Sequence, residues 1–165
     1  MHRVRKRRNK KNPNKNVKKA EPIQPSSRMT AEQEQTLPIQ HTIDLAVQYH
    51  QSGDLPKAVN IFQQILQADP NQPIALHFLG LIAHQIGGSD RAIKLISDSI
   101  RIKPDYAEAH SNLGVVLQGF GQLNEAVVSY NKAIAIKPDY VEAYSNLGLV
   151  LQGLGQLNAA VESYN

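Results

Sequence analysis

The chain has 165 residues, with 18 Lys+Arg, 14 Asp+Glu, a formal net charge of +4 and no cysteine. Lack of cysteine excludes a disulfide framework, a thiolate zinc site and a cysteine nucleophile. The charge averages two opposites, since residues 1–35 carry 11 Lys+Arg against 3 Asp+Glu (+8) and residues 36–165 carry 7 against 11 (−4).

The start, "HRVRKRRNKKNPNKNVKK", is a block of like charge with almost nothing apolar to bury, so a solvated, disordered leader is expected. Two other uses fit the same charge. One is weak, non-specific contact with nucleic acid or an anionic surface, with affinity falling steeply with salt. The other is folding back onto the negatively charged remainder. No aromatic residue is interleaved, so base stacking is not indicated. Asn12 to Ala20 stands where a secretory signal would need its apolar run. No stretch approaches the roughly 20 apolar residues that cross a bilayer, and a cytoplasmic location is expected. Residues 21–35, with Pro22, Pro25, Ser26 and Ser27, read as a linker, with a helix starting near Met29 to Glu34.

From residue 36 the chain repeats itself. Pro104 to Asn131 and Pro138 to Asn165 share 22 identities in 28 positions, 34 residues apart. Fainter copies lie upstream: Leu113-Gly114 is matched by Leu79-Gly80 and then Leu45-Ala46, and Pro104 by Pro70. The units run over about 39–72, 73–106 and 107–140, with an incomplete fourth over 141–165. Each reads as two helices. In the third unit, Leu113, Val116 and Leu117 fall at helical spacing, with Asp105 and Glu108 as a capping-box-like start. Gly119-Phe120-Gly121-Gln122 breaks the helix, Asn124 is placed to cap a second, and Lys137 suits its carbonyl end before Pro138 stops it. Gly114 and Ala126 are small where the two helices must cross closely, and Leu113, Leu117 and Tyr130 surround that crossing.

The period and residues resemble the tetratricopeptide repeat, carried in the third unit by His110, Leu113, Gly114, Leu117, Gly121, Ala126, Tyr130, Ala133 and Pro138. The resemblance spans about residues 36–165 and implies an all-α, right-handed superhelical solenoid of antiparallel helix pairs. It also implies a concave groove lined by the first helix of every pair. That groove is expected at Val47 and His50, at His77, Leu81 and His84, at Ser111, Asn112, Val115 and Gln118, and at Ser145, Asn146, Leu149 and Gln152. No Lys or Arg occupies a lining position, so the groove does not suit an acidic tail, which needs charge-assisted partners. Amides, hydroxyls and an apolar stripe suit an extended, largely uncharged peptide. The Ser-Asn-Leu-Gly wording is similar to the repeats of O-linked N-acetylglucosamine transferases and SPINDLY-like proteins, where such asparagines bond substrate backbone. Here Asn112 and Asn146 match, while Asp44 and Phe78 stand at the earlier places.

No catalytic, cofactor or metal site is expected. His77 and His84 lie seven residues apart, roughly 10 Å along a helix, whereas chelating pairs sit three or four apart. Gly87-Gly88 and Gly119 to Gly121 follow no strand and complete no phosphate-binding motif. The expected function is a protein-interaction scaffold; the alternative is the substrate-docking part of a longer glycosyltransferase. Because the fourth unit stops short of its Ala and Pro, Leu157, Val161 and Tyr164 form an open edge, for which either a longer parent protein or self-association is expected.

Overall fold

The computed structural model describes residues 39–156, which form seven α-helices and no strand. They are α1 (Ile39–Gln51), α2 (Leu55–Ala68), α3 (Pro73–Gln85), α4 (Ser89–Ile102), α5 (Ala107–Gly119), α6 (Leu123–Ile136) and α7 (Val141–Gly153). The first helix of each unit begins at Ile39, Pro73, Ala107 or Val141, one period of 34 residues apart. The segments expected to form the basic leader, the linker and the second helix of the fourth unit lie outside the described residues.

Two turn types alternate, each with a local cause. After α5, Gly121 takes φ +84°, Gly121 N–H donates to Gln118 O, and Gln122 N–H donates to Leu117 O at 2.9 Å. This is the Schellman arrangement, in which a residue with positive φ satisfies the last helical carbonyls. It recurs at Gly53, Gly87 and Gly155. At the other end of the hairpin, the residues before Pro70, Pro104 and Pro138 are Asp69, Lys103 and Lys137, with φ near −130° and ψ near 90°. Proline's Cδ disfavours the α region for the residue before it, so each second helix ends there.

Capping departs from expectation. Asp54 caps α2 by accepting from Lys57 N–H, and Gln72 caps α3 through Ile74 N–H. But Tyr106, not Asp105, is the N-cap of α5, and Gln122, not Asn124, that of α6, and neither side chain makes a cap bond. Asn124 lies inside the first turn of α6. Packing rather than capping therefore fixes where these helices begin.

The helices pack in series, each against the next, as antiparallel pairs. The crossing within a pair is tight. Ala58, Ala92 and Ala126 recur at one position and are fully buried, as are Phe62, Ile96 and Tyr130 four residues on. Opposite the large residues stand Ala46, Gly80 and Gly114. A Cβ on Gly114 would lie 2.6 Å from Tyr130 Cε1, and one on Gly80 2.5 Å from Ile96 Cγ1. Three linked clusters form a core that continues from α1 to α7. Each helix of 13 or 14 residues is marginal alone, so burial against its neighbours holds the array together.

Candidate functional site: the concave face

The odd-numbered helices also touch one another, α1 with α3, α3 with α5 and α5 with α7, whereas the even-numbered helices do not meet. Helices that converge lie on the inside of a curve, so the first helix of each pair forms the concave wall. The residues expected to line the groove all belong to these helices, and they differ in exposure.

His77 and Ser111 are buried, so they lie beneath the groove surface rather than on it. The cause is a tyrosine that ends the second and the third unit and folds back over the fifth residue of that unit's first helix. Tyr106 OH lies 3.1 Å from His77 Nδ1, with the rings edge to face at 4.9 Å. Tyr140 stands equivalently over Ser111, whose Oγ is buried without a hydrogen bond of ordinary geometry. Lys103 and Lys137 place their ammonium groups 4.9 Å from the ring centroids of Tyr106 and Tyr140. Lys137 is thus spent on Tyr140, and on Glu108 at 3.9 Å, as much as on the helix end. The sequence signal was visible in the paired tetrapeptides Lys103-Pro104-Asp105-Tyr106 and Lys137-Pro138-Asp139-Tyr140.

Val47, Leu81 and Val115 are half-buried and Leu149 is exposed, forming the apolar stripe. Beside it the two ends of the wall differ. In the first two units, Phe78 stacks on Phe62 at 5.4 Å and receives the edge of His50 at 5.3 Å, filling the place that Asn112 and Asn146 hold later. Gln85 Nε2 donates to His50 Nε2 at 3.4 Å. Nδ1 of His50 and Nδ1 of His84 are buried without partners. In the third and fourth units, Gly119 and Gly153 replace Gln85, leaving the wall lower. Gln118 accepts from Tyr130 OH at 3.1 Å, while Ser145 and Gln152 are exposed. Asn112 Nδ2 donates to His77 Nε2 at 2.9 Å, linking the second and third units.

Burial sets the ionisation of this wall. It holds His77 down to about 4, with the neighbouring His50 adding repulsion, and it also lowers His50. Burial pushes the Tyr106 phenol up to about 12, helped by Glu108 and Tyr140, and raises Tyr130 and Tyr140. The lining positions thus hold rings, amides and hydroxyls, with Asp44, Glu108 and Glu142 as the acidic residues and no Lys or Arg. His77, with both ring nitrogens bonded within the chain, is not presented as a ligand. Among the described residues no cluster of three or more His, Asp or Glu is spaced to hold a metal ion, and no helix is long and apolar enough to cross a membrane.

Comparison with known proteins agrees with this geometry. Family models described as tetratricopeptide repeat and TPR repeat match residues 49–114 and 121–155. No curated protein matches. Among solved structures, a crystal structure of MamA superposes with a TM-score of 0.70 at 27% identity, covering 77% of this chain and 74% of that one. A MamA fragment from Desulfovibrio magneticus RS-1 gives 0.67 at 22% identity, over 74% of this chain and 70% of that one, which is a likeness of fold. An O-GlcNAc transferase mutant from Thermobaculum terrenum gives 0.65 at 32% identity, over 70% of this chain but 23% of the transferase. With its 34-residue period, its hairpins in series and these matches, the chain belongs to the tetratricopeptide repeat family.

Proposed function

We propose that the array is an interaction scaffold that holds an extended, largely uncharged peptide along its concave face and performs no chemistry on it. The observation that supports this most is the stripe Val47, Leu81, Val115 and Leu149, flanked in its later half by Asn112, Asn146 and Gln152, with no Lys or Arg at any lining position. An extended strand presents side chains alternately and backbone amides between them, which suits an apolar stripe bordered by carboxamides. Three carboxylates on the wall oppose an acidic tail. The test is selection of random displayed peptides on the full chain. Binders should be poor in Asp and Glu and lose affinity with Leu81→Glu or Leu149→Glu. Tight, salt-sensitive capture of an acidic-tailed peptide, dependent on residues 36–165, would defeat the reading.

A second reading is favoured by the 32% identity to the O-GlcNAc transferase. In it the array is the substrate-docking region of a longer glycosyltransferase. The chain spans 23% of that transferase, so its activity is not carried over. Reading the gene beyond the Asn165 codon tests this directly: a stop codon there counts against it. For the basic leader, retention on nucleic acid should fall when residues 1–20 are removed; unchanged retention ends that proposal. Self-association through the fourth unit should raise the sedimentation coefficient with concentration.

A further inference from the structure

His77 stands where the other units carry Ile43, Ser111 and Ser145, so it is peculiar to the second. Its two nitrogens are used on opposite sides. Asn112 Nδ2 lies 2.9 Å from Nε2, and Tyr106 OH lies 3.1 Å from Nδ1. An amide nitrogen has only protons to give, so Nε2 must accept, Nδ1 keeps the ring proton, and that proton is donated to the Tyr106 oxygen. The ring is buried between α3 and α5 and packs on Tyr106, which leaves it little freedom to turn.

The consequence falls on Asn112, half-buried on the concave wall. One of the two Nδ2 protons is given to His77, which fixes the orientation of the amide, and its Oδ1 takes no partner among the described residues. The equivalent Asn146 has Ser111 in the place of His77, and Ser111 Oγ, beneath Tyr140, makes no hydrogen bond of ordinary geometry and none to Asn146. The two asparagines are thus alike in sequence and unlike in setting.

We infer that His77 is a positioning residue that turns Asn112 so the groove offers a hydrogen-bond acceptor, Oδ1, opposite the third unit. The ligand segment seated there supplies a free peptide N–H. Asn146, held by no such neighbour, offers donor and acceptor alike. This deepens the concave-face reading and rests on it. A proline or N-methylated residue, lacking the N–H, is disfavoured at that place roughly tenfold, the effect of one hydrogen bond.

The experiment uses the full chain with ¹⁵N-labelled side-chain amides and two small probes. N-methylacetamide has the peptide N–H; N,N-dimethylacetamide lacks it. The Asn112 signals should move with the first probe several-fold more than with the second, and Asn146 should not discriminate. In His77→Ser, which installs the residue native at Ser111 and Ser145, the Asn112 preference should vanish while Asn146 responds as before, showing that the fold persists. Equal response of Asn112 to both probes, no response, or a preference that survives His77→Ser would overturn the inference. So would finding the His77 ring protonated on Nε2 at neutral pH, which needs no variant. Since the probes are not peptides, failure here is separable from a failure of Leu81→Glu to weaken peptide binding.

Discussion

Gly114→Ala tests the packing on which the concave wall depends. The added methyl would stand 2.6, 2.8 and 2.9 Å from three atoms of the Tyr130 ring, well inside ordinary carbon contact. The ring cannot swing aside, because Tyr130 is fully buried and its hydroxyl is bonded to Gln118. Overpacking of this kind costs about 1–3 kcal/mol, and with three close contacts on a fixed ring the upper half of that range applies. Against it, alanine is a better helix former than glycine by about 1 kcal/mol. The net is a loss of about 1–2 kcal/mol. The first unit pairs Ala46 with Phe62 at the same positions, so the methyl is accommodated by moving the helices apart, not by unfolding them. Gly119→Ala is the control on the same helix, because its Cβ would meet only His84 Cε1, at 3.6 Å. In urea, Gly114→Ala should lower the unfolding midpoint by about 0.5–1 M for a slope of about 2 kcal/mol/M, the middle of the usual range, and Gly119→Ala should hold or raise it. A Gly114→Ala chain as stable as Gly119→Ala would refute the close crossing.

Other substitutions report on other parts. Phe62→Ala removes a fully buried ring stacked on Phe78 and should cost about 3–5 kcal/mol by chemical denaturation. Gly121→Ala meets no neighbouring atom, yet it forces a side chain onto φ +84° and should cost about 1 kcal/mol, seen as a lower thermal midpoint. His77 predicts a pH dependence: its folded value of about 4 lies below 6.5, so the unfolded chain binds the extra proton between those pH values. Its contribution is complete above pH 6.5 and lost as pH falls towards 4, by about 3 kcal/mol at most. His77→Ser should flatten the slope of urea midpoint against pH over that window, and an unchanged slope would assign it to other groups.

The period, the hairpin and the small residues at the crossing were legible because each rests on residue types whose physics is local. Glycine at a positive φ, proline after an extended residue, and glycine opposite an aromatic ring all leave their mark at fixed offsets. The caps were misread because Asp105 and Asn124 carry the right chemistry one or two residues from the right place, and packing overrode their preference. The sequence spacing assigns residues to a helix face but not to a depth within it. A fifth-position side chain reaches the surface only if nothing closes over it, and closure by Tyr106 and Tyr140 comes from 29 residues further along the chain. Phe78 shows the same limit: the sequence places it on the concave wall, and its stacking on Phe62 draws it partly into the core.

The weak match of the first unit has a structural cause. On α3 and the residue after it, Leu79, Ile82, Ala83 and Ile86 meet Val59 and Gln63 of α2 around a cavity of about 90 Å³. The same offsets hold Leu113, Val116, Leu117 and Phe120 on α5 and the residue after it, and Leu147, Val150, Leu151 and Leu154 on α7 and the residue after it. On α1 and the residue after it they hold Leu45, Gln48, Tyr49 and Ser52, where Gln48 and Ser52 are exposed and Tyr49 carries Lys57 Nζ 5.1 Å from its ring centroid. A helix pair laid against that face would bury two polar side chains opposite apolar ones, each costing about 1–3 kcal/mol without a partner. Polar residues at these offsets make the face compatible with water rather than with a stacked helix pair. The first unit therefore departs from its neighbours at Gln48 and Ser52, while Leu45, Gly53, Ala58 and Phe62 keep to the family pattern.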